Sequence, residues 1–292
     1  MDIEKVVIIG AGPAGIAAAI QLKRSGIQPL LLEKNQPGGL LWNANLVENY
    51  PGFPEGIPGS ELAQKMVLQL KYNGIEVIPD EITNLEVEGE LFKLTSSKQS
   101  FLCRIVMIAS GTKPNLLPSL QIPENARDKV FYEVSKLLSQ REKRIVIAGA
   151  GDAAFDYALN LARHNEVYLL NRGSVIKSLP VLQERVLRSS CIKYIPNITI
   201  SSIQSVGNEG LLLTSKTLHG CETINTDFLI LAIGREPQMD FISDDLYQQR
   251  QQLEMSGKLY FIGDVINNKF RQTTIAVGNG VLAAMKVCRI CG

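Results

Sequence analysis

The sequence predicts an α/β protein built from two Rossmann-like, three-layer dinucleotide-binding domains, the second inserted into the first. Three observations predict it. "KVVIIGAGPAGIAAAIQLKRSGIQPLLLEK" at 5–34 is echoed by "RIVIAGAGDAAFDYALNLARHNEVYLLNRG" at 144–173, with a constant offset of 139 that puts Gly10 on Gly149. Each copy is later closed by an apolar run ending in a small turn, "FLCRIVMIASGTKP" at 101–114 and "TDFLILAIGREP" at 226–237. A last segment, "KLYFIGDVINNKFRQTTIAVGNGVLAAMKV" at 258–287, comes after the second unit has already used its closing strand, and so returns to the first.

Element by element, "VVII" and "IVIA" are β-branched apolar runs stopped by glycine, the mark of buried strands. An apolar pattern at helical spacing follows each glycine turn, and a second apolar run, "PLLLE" or "VYLLN", follows each helix. Strand, turn, helix and strand make a βαβ unit of a parallel sheet. The expected boundaries are 1–112 with 243–292 for the outer domain and 115–238 for the inserted one, with the GTKP and GREP stretches as linkers.

Composition narrows the function. A chain of 292 residues, 45% hydrophobic, can bury two cores, and 30 basic against 29 acidic residues give no general attraction to nucleic acid or an anionic membrane. The uncharged run Val6–Leu22 is punctuated by glycine and proline as strand, turn and helix, so it is not read as a membrane span. The start "MDIEK" lacks the basic region of a signal peptide, and five cysteines (Cys103, Cys191, Cys221, Cys288, Cys291) follow no framework spacing; a cytoplasmic location is expected. Two histidines far apart, His164 and His219, argue against a metal site.

The turn "GAGPAG" carries the first chemistry. Gly10 permits the tight turn, Gly12 lets backbone approach a pyrophosphate, and Gly15 lets the helix lie close to its strand, with the phosphates at the helix N-terminus. Glu33, at the end of the second strand, is placed to accept from a ribose. In "GAGDAA" Gly149 and Gly151 repeat the first two positions, and Ala154 stands for the third glycine. The constant offset sets Arg172 opposite Glu33, with Lys177 close by and Gly173 between them. A guanidinium can grip a 2'-phosphate that a carboxylate would repel, so the first site is expected to take a dinucleotide with a free ribose hydroxyl and the second to prefer NADP over NAD.

Taken together, "GAGPAG", "GGLLWNANLVENYPGFPEGIPGSEL", "IASGTKP", "GAGDAA", "LAIGREP", "FIGDV" and "RQTTIAVGNGVLAA" resemble, in order and spacing, the thioredoxin reductase-like flavoproteins over essentially the whole chain. The resemblance implies FAD in the outer domain, NADPH in the inserted one, linkers about which the domains rotate, and a homodimer. Carried over by position, it assigns FAD contacts to Gly10, Gly12, Pro13, Ala14, Gly15, Glu33, Lys34, Gly39, Leu40, Asn49, Ile82, Ala109, Gly111, Gly263, Asp264, Gln272 and Thr273. NADP contacts fall on Gly149, Gly151, Asp152, Ala153, Ala154, Arg172, Lys177, Ile233, Gly234 and Arg235.

One departure bears on the acceptor. The family's redox Cys-x-x-Cys precedes the second glycine turn, and here "DKVFYEVSKLLSQREKRIVIAGAG" at 128–151 contains no cysteine. This segment is more similar to the thioredoxin reductase-like ferredoxin or flavodoxin NADP reductases, which pass electrons from flavin directly to a carrier. A ferredoxin or flavodoxin is therefore the expected partner, ahead of a thioredoxin-like disulfide reduced through Cys288 and Cys291; a flavin-binding regulatory protein without turnover is the non-enzymatic alternative. About a dozen helical residues at 1.5 Å each would put that cysteine pair roughly 20 Å from the flavin end of the last helix.

Overall fold

The structure is a computed structural model describing residues 3–207 and 210–291, with side chains through 290. In chain order the elements are β1 (Ile3–Ile9), α1 (Pro13–Arg24), β2 (Leu30–Glu33), α2 (Gly59–Tyr72), β3 (Val77–Pro79), β4 (Ile82–Glu88), β5 (Leu91–Ser96), β6 (Ser100–Ile108) and β7 (Thr112–Pro114). There follow β8 (Val130–Phe131), β9 (Arg144–Ala148), α3 (Asp152–Leu161), β10 (Glu166–Leu170), α4 (Pro180–Arg188), β11 (Ile192–Ile195), β12 (Thr199–Val206), β13 (Gly210–Thr217), β14 (Gly220–Thr226), β15 (Phe228–Leu231) and β16 (Arg235–Pro237). The chain closes with α5 (Asp244–Met255), β17 (Leu259–Phe261) and α6 (Thr273–Cys291).

Two compact units result: Met1–Trp42, Val47–Lys113 and Glu236–Gly292 form one, and Asn43–Leu46 with Pro114–Arg235 form the other. Residues 236–238, expected in the inserted domain, thus fall in the first unit. Gln238 N–H donates to Gly111 O at 3.0 Å, Lys113 pairs with Glu236 and Asp240, and Leu85 N–H donates to Phe241 O at 2.7 Å.

In the first unit β3, β2, β1 and β6 lie side by side in that order, all parallel, and β17 joins the C-terminal half of β6. The N-terminal half of β6 instead pairs antiparallel with β5, which pairs with β4. Successive residues of β1 point to opposite faces. Val7 and Ile9 enter one core with Leu85, Phe92, Cys103 and Phe261, and Val6 and Ile8 are fully buried on the other. A strand covered on both faces must be apolar throughout, which is why "VVII" shows no alternation. The Cys103 thiol is pushed up to about 12 by this burial, with the Glu4 charge adding to it.

Helices α1 and α6 pack closely because small residues face one another. A methyl at Gly280 of α6 would collide with the Ala14 carbonyl of α1. Ile16 and Leu22 of α1 are almost completely buried, each worth about 1.5–3 kcal/mol.

The second unit repeats the plan with a parallel sheet in the order β11, β10, β9, β15, β8, and a separate antiparallel sheet β12, β13, β14. Phe155, Ala158 and Leu161 of α3 seal one face with Ile145, Ile147 and Val167, while Leu211 and Leu213 of β13 cover the other with Val146 and Leu229.

Candidate functional site

Both glycine turns sit at the C-terminal ends of parallel strands, between two strands that diverge from the first, where open α/β sheets bind ligands. In the first unit the chain leaves Ile9, turns with Gly10 at φ +104°, and enters α1 at Pro13. A Cβ on Gly15 would overlap the Gly10 carbonyl, so only glycine lets α1 start this close to the strand. Gly12, by contrast, caps α1 without a side-chain hydrogen bond, and a Cβ there would meet no atom within 4 Å. The result is a cradle lined by backbone, opening on helix N–H groups that have no earlier carbonyl to bond.

Other elements converge on this turn. Glu33 Oε2 accepts from Ala11 N–H at 2.7 Å and its Oε1 from Asn35 N–H at 2.9 Å. Gly38 N–H donates to Ala11 O, bringing Gly39 against Gly12, and Ala109 N–H donates to Ile9 O. Gly263 lies against Ala14. Asp80 N–H donates to Glu33 O, which ties the corner before Ile82 to the same strand end. Asn49 Nδ2 donates to Gln272 Oε1 at 2.7 Å, joining two residues 223 apart in sequence just before Thr273 opens α6. Asp264 lies in the 3-10 turn Gly263–Val265 and Gly111 follows β6 at φ +65°. Lys34 pairs with Glu81 at 3.3 Å, an exposed pair turned to solvent.

In the second unit Gly151 caps α3 in the same way, and a Cβ there also meets nothing within 4 Å. The chain from Arg172 to Leu179 folds back over the turn: Lys177 N–H donates to Ala150 O at 2.9 Å and Leu179 N–H to Asp152 Oδ1 at 2.8 Å. Ser178 Oγ, buried at the end of this loop, has no hydrogen-bond partner among the described residues. Ala153 is exposed on the first turn of α3, while Ala154 is fully buried. Gly234 takes φ +110° after Ile233, and Arg235 pairs with Glu133 at 3.0 Å. Glu133 also accepts from Asn43 Nδ2 at 3.2 Å, and Asn43 Oδ1 accepts from Ser135 N–H. Burial pushes the neighbouring Tyr157 phenol up to about 12, with the Glu133 charge adding to the shift.

The strand register corrects one expectation. β1 pairs Ile9 with Leu32, whereas β9 pairs Ala148 with Leu170. The offset is 139 at the first strand but 138 at the second, because one residue fewer separates them. Asn171, not Arg172, therefore occupies the Glu33 position. The side chains agree: Asn171 Oδ1 accepts from Gly173 N–H at 3.1 Å as Glu33 Oε1 accepts from Asn35 N–H. The signal was present in the last leucine of each run, since the residue after it is Glu33 in one copy and Asn171 in the other. Arg172 and Lys177 remain exposed, without a side-chain partner among the described residues.

Cys288 is half-buried near the far end of α6, about 22 Å along the axis from Thr273 at 1.5 Å per residue, and the side chain of Cys291 lies outside the described residues. Among the described residues no three His, Cys, Asp or Glu side chains gather as metal ligands, and no helix is long and apolar enough to cross a membrane.

Two backbone cradles at helix N-termini, each with a polar side chain at the neighbouring strand end, define an α/β protein of two Rossmann-like units. The pattern of the pyridine nucleotide-disulphide oxidoreductases matches residues 4–280. The chain is 30% identical to a thioredoxin reductase of Rickettsia prowazekii, covering 98% of this chain and 97% of the relative, and 29% identical to that of Listeria monocytogenes over 95% and 91%. The crystal structure of Lactococcus lactis thioredoxin reductase superposes with a TM-score of 0.86 at 28% identity, covering 98% of each chain. The chain belongs to the pyridine nucleotide-disulphide oxidoreductase family and, within it, is a thioredoxin reductase-like flavoprotein enzyme, with FAD and NADPH as the family's cofactors. The open space at Gly12 and Gly151, each beside a helix N-terminus, fits two such groups.

Proposed function

We propose that this chain is an NADPH-dependent FAD oxidoreductase that delivers electrons directly to an external redox protein, a ferredoxin or flavodoxin, without a dithiol of its own. FAD would be held by the Gly10–Gly15 turn, Glu33 and the Asn49–Gln272 pair; NADPH would be held by the Gly149–Ala154 turn with Arg172 and Lys177. When bound, the flavin would accept a hydride, two electrons and a proton, from NADPH and release the electrons singly to two acceptor molecules in turn. The protein's own work is placement: helix N–H groups face the phosphates, Glu33 accepts from ribose hydroxyls, and the N-terminus of α6 stabilises negative charge at its end of the site.

The observation that carries this reading is the absence of any cysteine from Arg104 to Ser190 in the sequence. In the stretch before the second turn, Glu133 is instead committed to Arg235 and Asn43. An anaerobic screen of the NADPH-reduced protein against ferredoxin, flavodoxin, thioredoxin and oxygen tests it. Rapid reduction of ferredoxin or flavodoxin is expected. Rapid reduction of thioredoxin that disappears in Cys288→Ser would overturn it in favour of a disulfide reductase, the reading favoured by the names of the relatives at 28–30% identity. No bleaching of the flavin band by NADPH would point to a flavoprotein without turnover.

A further inference from the structure

We propose that Asn171 is a positioning residue that sets the nucleotide preference of the second unit, by turning its carboxamide away from the ribose position and using it to shape the loop that presents Arg172 and Lys177. This rests on the reading of that unit as the NADPH site.

The internal duplication supplies the comparison. At the end of β2 Glu33 is half-buried and its carboxylate reaches across to Ala11 N–H of the turn, which leaves an acceptor beside the cradle. At the equivalent end of β10 Asn171 is only 4% exposed and makes no bond to its own turn. Its Nδ2 donates to Val175 O at 3.0 Å and to Tyr194 Oη at 2.9 Å, and its Oδ1 accepts from Gly173 N–H. The Tyr194 ring is fixed in turn against Phe155 of α3, with centroids 6.0 Å apart. Asn171 main-chain groups are also engaged, with N–H donating to Ile195 O and C=O accepting from Ile198 N–H. One buried amide thus closes the chain from 171 to 175 into a tight loop, the Asx pattern extended by one further bond.

Two consequences follow. The place where Glu33 offers a carboxylate in the first unit carries no negative charge in the second, so a 2'-phosphate meets no repulsion there. The loop closed by Asn171 has its other end pinned by Lys177 N–H on Ala150 O, so Arg172 and Lys177 leave a short, tied segment beside the turn. Both cations are exposed and pair with no side chain among the described residues, so they stay available to a phosphate. An aspartate could still accept from Gly173 N–H, but it cannot donate to Val175 O, and it restores the charge that Glu33 carries.

The test is equilibrium binding of 2',5'-ADP and 5'-AMP to FAD-loaded protein, wild type against Asn171→Asp, Tyr194→Phe, Arg172→Ala and the Asn171→Asp/Arg172→Ala pair. Asn171→Asp is expected to lower the ratio of 2',5'-ADP to 5'-AMP affinity by about tenfold or more, from charge repulsion and a lost buried donor bond together. Tyr194→Phe, which removes only a hydroxyl and supports the conclusion should Asn171→Asp not fold, is expected to shift the ratio the same way by about twofold to threefold. In the Arg172→Ala background the aspartate should lower the ratio less than it does alone, because part of its effect passes through the loop. A wild-type protein with no preference for 2',5'-ADP would sink the NADPH reading itself. A wild-type preference that survives unchanged in both folded Asn171 and Tyr194 variants, or full additivity in the pair, would overturn the role of Asn171 alone.

Discussion

Replacing Gly12 or Gly151 by alanine separates the two cradles from the fold that carries them. Gly12 has φ −75° and ψ −176°, and Gly151 φ −97° and ψ 179°, both open to any L-residue, and neither added methyl would touch an atom within 4 Å. The cost to the folded protein is that of exchanging a glycine N-cap for alanine, about 0.5–1 kcal/mol. The methyl does, however, occupy the space where a pyrophosphate would approach the helix N-terminus. Pushing the phosphate back weakens two or more charge-assisted bonds to backbone N–H, at about 1.5–3 kcal/mol each, so the loss is on the order of a hundredfold or greater. Apoprotein titrated with FAD, followed by quenching of flavin fluorescence, reads the first site; 2',5'-ADP binding to the holoprotein reads the second. Gly12→Ala should lose FAD while its melting temperature as apoprotein stays within a few degrees of wild type. Gly151→Ala should keep FAD and lose 2',5'-ADP. FAD affinity within threefold of wild type in Gly12→Ala, or loss of FAD in Gly151→Ala, would refute the assignment of the two turns.

Three further outcomes are expected. Gly15→Ala, whose methyl would overlap the Gly10 carbonyl, should destabilise the apoprotein by several kcal/mol, on the scale of overpacking in a tight core, and a melting scan reads it. Alkylation mapped by peptide mass at pH 8 should label Cys191 and Cys221 within minutes and leave Cys103 untouched until the protein unfolds, since its thiol is buried and titrates only at about 12. Glu166, held below the usual carboxylate range chiefly by its hydrogen bond from Arg144 at 2.8 Å, should contribute stability that is present above the unfolded carboxylate range and lost as pH falls through its depressed value. Both partners are about half exposed, so Glu166→Gln should cost about 0.2–1 kcal/mol at pH 7 and nothing measurable in acid, read by denaturant midpoints across that range.

The duplicated βαβ units were legible because a parallel strand buried on both faces and a glycine turn leave a dense local signature. "VVII" followed by "GAGPAG" admits few other structures. What was less legible depends on lengths that carry no chemical mark. The helix-to-strand connection after α3 is one residue shorter than that after α1, and a constant offset slid Arg172 onto the place that the strand register gives to Asn171. The Asn49–Gln272 bond spans 223 residues, and nothing local in either segment announces it. The boundary near 236 was misplaced for a related reason: the Gly-Arg-Glu-Pro stretch reads as a linker, yet Gln238 N–H on Gly111 O and Phe241 in the first core draw the chain into the first unit immediately after it.

On the proposed reading, the same comparison gives one backbone arrangement, repeated in both units, a way to suit two different nucleotides. The cradle itself is common to both units, because a pyrophosphate asks only for backbone N–H groups and an absent Cβ. Discrimination has to come from the strand end, one position beyond the last buried leucine, where a side chain either reaches toward the turn or folds into the protein. Glu33 reaches, bonding Ala11 N–H, and keeps an acceptor at the cradle; Asn171 folds inward on Val175 and Tyr194, and the cations after it face outward. Preference for a free ribose hydroxyl or for a phosphate would then be decided by where one carboxylate or carboxamide makes its hydrogen bonds, more than by the presence of an arginine alone.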